Sequence, residues 1–242
     1  MLLKHIRPDQ VHDAIARNVP LLLPAGCVEC HGSHAALGLD TIVAEELCQA
    51  IAARVPAVVA PSIEYGPTGW AVSGPELGTV DVDGNHFYLY VKDVLRSLLL
   101  MGWPAIIVVV HHQGMDGPEA LSFRKAAVEL AMETARADNG LGWWGYQPPE
   151  TYGRVWERVR VMPTVLPEAA ATCRGDHAGH FETSLLLHLH PEMVDLSQLE
   201  RQSFWYTDQP DNLARTSTAE DGKRYFEAMI SAWVNLLKPA AS

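Results

Sequence analysis

A chain of 242 residues, 48% apolar and 19% charged, has the composition of an ordinary globular protein and is long enough to bury a full core. Its 18 Lys and Arg stand against 29 Asp and Glu, a net charge of −11 with no basic stripe, which argues against a nucleic-acid partner. No apolar run approaches the roughly 18–20 residues of a membrane span, and the charged opening MLLKHIRPDQ lacks a secretory core. One domain over 1–242, cytoplasmic and without a membrane partner, is the expectation.

Pro8 opens a helix over 8–18, and PLLLPAG (20–26) follows as a buried strand bounded by Pro and Gly. Residues 40–54 carry apolar side chains at helical spacing, with Asp40 or Thr41 as the cap, and 56–62 reads as a short strand. The Gly- and Pro-rich stretch 64–85 is a long loop of the kind that covers a site. A helix over 86–101 ends at Gly102, PAIIVVVH (104–111) is the clearest buried strand, and 117–138 is a helix opened by Pro118. Residues 139–176 read as irregular apart from a strand at 158–164. A helix beginning near Ala178 is closed by Pro191, and 219–238 forms the last helix. Apolar strands alternating with helices predict an α/β fold, a three-layer α/β/α sandwich around a mostly parallel sheet. Such sheets bind ligands beyond the carboxyl ends of their strands.

Four cysteines, Cys27, Cys30, Cys48 and Cys173, are too few for a disulfide scaffold. In AGCVECHGSH (25–34), strand alternation sends Cys27, Glu29 and His31 to one side and Val28 and Cys30 to the other. The two sulfurs then diverge, which disfavours a redox pair or a zinc knuckle. Both cysteines are expected to be small packing residues, and Cys27→Ser to be mild.

Glu29, His31 and Asp40 place carboxylate, imidazole and carboxylate at a strand's end, donors that suit zinc or manganese. The plain alternative is a capping Asp40, a surface Glu29 and a hydrogen-bonded His31. His111 and His112 reach the same edge but point to opposite faces, so only one of them shares a site with Glu29. A third group, Asp176, His177, His180 and Glu182, lies at a helix start, whereas His188 and His190 read as helix C-terminal residues.

LLPAGCVECHGSHAALGLDTIVAEEL (22–47) resembles the signature of the creatininase, or creatinine amidohydrolase, family. GPELGTVDV (74–82), GWPAIIVVVHHQG (102–114) and HAGHFETSLLLHLHPEMVD (177–195) resemble its later blocks, in family order. The resemblance implies a small-molecule hydrolase with two divalent metal ions, manganese or zinc first. It assigns Glu29, His31, Asp40 and His112 as ligands, with Asp40 bridging, and Glu182 as the fifth. It sets His177 near the leaving group with Asp176 beside it. The chain departs from the family at VHHQGM and HAGH, so His111, Gln113 and His180 are expected to contact substrate, and Trp70 and Trp144 to close over a flat ring. The expected reaction is ring opening at a carbonyl carbon. The first candidate substrate is a dehydro-inosose such as 3-dehydro-scyllo-inosose, and creatinine or another cyclic amide is the alternative. A non-catalytic metal-binding protein is the reading from another class. The resemblance also implies a homo-oligomer, commonly a hexamer.

Overall fold

Leu21–Ala25 are buried without a break and form strand β1; Ile106–Val110, equally buried, form β3 beside it, with Leu21 opposite Ile106 and Ala25 opposite Val110. Strands covered on both sides of the backbone require helices on both faces. The computed structural model, which describes residues 1–238, has them. β2 (Val58–Val59) flanks β1 and β4 (Val159–Pro163) flanks β3, so the sheet is all parallel in the order β2-β1-β3-β4.

Alternation divides the sheet's side chains between two cores. Leu22, Ile107 and Val109 pack with α2 (Leu39–Ala52), α6 (His180–Leu189) and α7 (Ala219–Leu237). Leu21, Leu23, Ile106 and Val108 pack with α1 (Pro8–Ala16), α3 (Gly84–Leu100) and α4 (Pro118–Asn139). The layered α/β/α arrangement is the one the alternation of elements predicts. Each fully buried Leu or Ile contributes about 1.5–3 kcal/mol, so both faces are strongly fixed. Among the described residues no helix is long and apolar enough to cross a membrane.

Several local features differ from expectation. The strand at 56–62 shrinks to two residues, because Pro56 and Pro61 remove ladder donors on either side. Gly38, not Asp40 or Thr41, is the N-cap of α2; Asp40 lies in the first turn. The 139–176 stretch holds β4, the short helix α5 (Trp143–Tyr146) and several 3₁₀ turns. A two-stranded ribbon, β5 (Asp208–Gln209) with β6 (Asn212–Leu213), precedes α7.

The loop at 64–85 does lie over the end of β1. Val80 N–H donates to Val28 O at 2.9 Å and Cys30 N–H to Thr79 Oγ1 at 3.0 Å, which holds residues 28–30 extended. Gly26 brings the next element close. A Cβ there would lie 2.5 Å from Thr41 N and 2.7 Å from the Asp40 carbonyl carbon, so only a bare backbone lets the start of α2 sit against the strand end.

Candidate metal centre

Neighbouring strands run about 4.8 Å apart, so the segments leaving β1 and β3 at their carboxyl ends must meet. β1 delivers Cys27, Glu29 and His31, and β3 delivers His111 and His112; the first turns of α2 and α6 bring Asp40 and Glu182. Asp40 is the shared member. Its Oδ1 lies 3.3 Å from His31 Nε2 and its Oδ2 2.9 Å from His112 Nδ1. Glu29 Oε1 is 3.1 Å from His112 Nδ1, and Glu182 Oε2 is 3.7 Å from His31 Nε2. All five side chains are buried. Donors from Glu29, Asp40 and His112 lie within reach of one cation, and so do donors from His31, Asp40 and Glu182.

His31 Nδ1–H donates to the Glu29 carbonyl at 3.1 Å, which makes Nε2 the lone pair of the neutral ring. That nitrogen is buried, has no hydrogen-bond partner and faces two carboxylates. Such a set is repulsive unless a proton or a cation lies within it. Without a cation the proton takes that place. Burial opposes it, but Asp40 and Glu182 raise His31 to about 10. His112 likewise rises against burial to about 11, through Asp40 and Glu29. Burial alone would raise Asp40, yet His31 and His112 hold it well below the usual carboxylate range. Burial pushes Glu182 well above that range despite His31. Clustered oxygen and nitrogen donors fit a zinc or manganese centre.

A cavity of about 550 Å³ opens over Glu29, Asp40, His112 and Glu182, with Gln113 and His177 in its wall. His177 Nε2–H donates to Cys30 O at 2.9 Å, leaving Nδ1 as the lone pair, 3.8 Å from Glu29 Oε1. Burial, and next His31, lowers its pKa, so the ring is neutral and basic at Nδ1. Both histidines of β3's trailing segment line the cavity, His112 on the Glu29 side and His111 on the Glu182 side, because both lie beyond the end of β3, where strand alternation no longer separates them. His111 Nδ1 pairs with Thr164 Oγ1 at 2.6 Å, and its Nε2, buried and unpartnered, is 3.6 Å from Glu182 Oε1. Gln113 and Ala178 both adopt positive φ, 58° and 52°, a strained geometry of the kind that gathers at sites.

Other candidates are placed differently. Asp176 reaches the cavity wall, but its carboxylate accepts from the amides of Gly179, Phe181 and Glu182 at 3.3, 2.7 and 3.2 Å. It therefore holds the turn into α6 rather than partnering His177. His180 is two positions before Glu182, about 200° around the helix, and turns away from the cavity. Its Nδ1 is 3.0 Å from Thr216 Oγ1 and its Nε2 3.5 Å from Asp221 Oδ2. Trp70 is exposed; the residues after it, Ala71 and Val72, line the cavity instead. Trp144, 75% exposed on α5, lies outside the lining.

Two residues in or beside the cluster were not expected there. Cys27 is more than a packing residue: its Sγ lies 3.1 Å from His112 Nδ1 and 3.2 Å from Asp40 Oδ2. Its shared parity with Glu29 and His31 was the available signal. Cys30 turns to Gly32 O, so the two sulfurs do diverge, and both thiols are free. Glu119, in the first turn of α4, is fully buried with neither carboxylate oxygen hydrogen-bonded. Burial raises it to about 8 although His112 pulls the other way. No local pattern marks Glu119, because only the packing of α4 brings it beneath the cluster.

A family model for creatininase, creatinine amidohydrolase, matches residues 4–237. The creatinine amidohydrolase of Pseudomonas putida is 29% identical over 186 residues, 74% of this chain and 67% of that protein. The mycofactocin precursor peptide peptidase of Mycolicibacterium smegmatis is 32% identical over 188 residues, 75% of this chain and 62% of that one. Among solved structures, a manganese creatininase superposes with a TM-score of 0.74 at 22% identity, covering 98% of this chain and 96% of its own. A mutant creatininase of the Zn-Zn type gives 0.73 at 22% identity over 98% and 96%. These last likenesses bear on the fold. With the family model spanning nearly the whole sequence, the chain belongs to the creatininase family.

Proposed function

We propose that the chain is a metal-dependent hydrolase that holds two divalent ions, zinc or manganese, and opens a small polar ring at a carbonyl carbon. One observation carries the reading: the buried Asp40 carboxylate faces His31 Nε2 with one oxygen and His112 Nδ1 with the other, at 3.3 and 2.9 Å. Glu29 and His112 would hold one ion, His31 and Glu182 the second, and Asp40 both. Ions bound there supply Lewis acidity, which lowers the pKa of water and polarises a carbonyl oxygen.

The chain's own groups do the rest. The Cys30 carbonyl fixes the His177 tautomer, so proton transfer takes place at Nδ1, whose lone pair takes up the proton released by the attacking water and then passes it to the departing nitrogen or carbon. Val110, Pro163 and Phe181 wall the cavity and exclude water, while Gln113 and His111 offer hydrogen bonds to ring substituents. Those polar groups favour a polyhydroxylated ring, so 3-dehydro-scyllo-inosose is our first candidate. Creatinine accords equally with the relatives. A homo-oligomer, such as a hexamer, belongs to the same reading. Leu121, Val128 and Met132, each about half exposed, follow one another along the outer face of α4.

The test is turnover by purified protein loaded with manganese or zinc. Ring opening of the inosose is the expected result. Turnover of creatinine alone would transfer the assignment to a cyclic amide, and cleavage of a peptide alone to the peptidase relatives. Retained metal with no turnover of any of them would favour the non-catalytic metal-binding reading. Light scattering of the same sample gives the subunit number.

A further inference from the structure

The sulfur of Cys27 stands inside the donor set on the Glu29 side of the cluster. Its distances to His112 Nδ1 and Asp40 Oδ2 are 3.1 and 3.2 Å, and those from His112 Nδ1 to Glu29 Oε1 and Asp40 Oδ2 are 3.1 and 2.9 Å. One atom from each of the four residues lies within 4.8 Å of the others, and all four residues are buried. A tetrahedral zinc with bonds of about 2.0 Å to nitrogen or oxygen and about 2.3 Å to sulfur has donor–donor edges of roughly 3.3–3.6 Å. Four of the six edges among these atoms, at 2.9–3.2 Å, are thus slightly shorter than those of such a polyhedron, and the remaining two lie within 4.8 Å.

We propose that Cys27 is a metal ligand, a thiolate completing a Cys27, Glu29, Asp40 and His112 site that prefers zinc over manganese. The inference rests on the metal-centre reading above and goes beyond it, giving the two halves of the cluster different chemistry. The half with Cys27 has a soft donor and selects zinc; the half with His31 and Glu182 has only nitrogen and oxygen and accepts either ion. Metal binding displaces the thiol proton to solvent, and the sulfur lone pair forms the new bond. Until then burial, with Asp40 and Glu29 beside it, keeps Cys27 protonated, donating to Asp40.

Cobalt(II) is the probe. Metal-free protein loaded with cobalt should show visible d–d absorption from the bound ion together with a near-ultraviolet sulfur-to-cobalt charge-transfer band. Cys27→Ser should keep the visible bands and lose the charge-transfer band. In competition between zinc and manganese, the same variant should lose about tenfold or more in zinc affinity and much less in manganese affinity. Visible bands without charge transfer in the unaltered protein would overturn the ligand role and leave the metal centre standing, with Cys27 as a hydrogen-bond donor to Asp40. Failure to bind cobalt, zinc or manganese at all would overturn both. Should Cys27→Ser not fold, the spectrum of the unaltered protein decides.

Discussion

His34 Nε2 and Thr183 Oγ1 lie 2.8 Å apart, joining positions 149 residues distant in the chain. Thr183 donates its own proton to Ala178 O at 3.3 Å, so the imidazole is the donor to the hydroxyl. His34 ends the segment that carries Glu29 and His31, and Thr183 follows Glu182. The contact therefore ties together the two chain segments that supply His31 and Glu182.

This tie has a pH signature. Burial, then His31, lowers His34 from 6.5 to about 4, so it is neutral in the fold. Between those values the unfolded chain binds a proton that the folded chain does not, and stability falls as pH falls. The contribution is whole above 6.5, gone below about 4, and on the order of 3 kcal/mol. Urea midpoints at pH 7.5 and 4.5 should differ by less in His34→Gln than in the unaltered protein.

Glu119 predicts the opposite slope. Raised from 4.5 to about 8 by burial, it keeps a proton in the metal-free fold that the unfolded chain has already lost, so stability declines as pH climbs through that range. Glu119→Gln replaces the neutral acid with a neutral amide of the same shape. Thermal melts of metal-free protein should show the variant gaining on the parent between pH 5 and pH 8.5; an unchanged difference would mean that Glu119 is ionised in the fold.

Asp40→Ala and His177→Gln should fail in different ways. The first removes the carboxylate common to both halves of the cluster, so elemental analysis after gel filtration should find little bound metal and assays no turnover. The second leaves that cluster intact. Its metal content should match the parent while kcat falls roughly 100-fold or more, the scale of a lost proton-transfer group.

Gly26→Ala should deplete metal without touching a ligand. The new methyl would meet Thr41 N and the Asp40 carbonyl carbon at 2.5 and 2.7 Å, and backbone cannot give way as a side chain does. Overpacking of this kind costs about 1–3 kcal/mol, and here it pushes Asp40 off the strand edge. A lower melting temperature with at least tenfold weaker zinc binding is expected.

What was legible in the sequence follows from what periodicity reports. The runs 20–26 and 104–111 are apolar throughout because both faces are covered, and such runs declare a buried parallel strand on their own. Glu29, His31, Asp40, His112 and Glu182 were legible because each lies at an element's edge within a motif, and the structure brings those five together. His180 is expected at the substrate from the departure from the family at HAGH, but helical rotation turns its ring toward Thr216 and Asp221. Trp144 and Trp70 were judged by ring chemistry, which says nothing about the path of a loop. Glu119 is tertiary information altogether. Cys27 was set aside because the pair it forms with Cys30 drew the question toward disulfide and knuckle chemistry and away from the face it shares with Glu29.

The ligand-bearing floor of the cavity and its mouth come from different kinds of backbone. The floor hangs from the first turns of α2 and α6 and from segments that leave β1 and β3 directly, pinned by Glu29 N–H to Leu37 O, Cys30 N–H to Thr79 Oγ1 and His111 N–H to Ala25 O. The mouth is built from Ala71, Val72 and Gly114, all outside regular elements, so it tolerates replacement. A lineage could therefore exchange one substrate for another by rewriting a few rim positions while the reactive core passes unaltered from ancestor to descendant. A library confined to the rim is accordingly where a search for new specificity would begin.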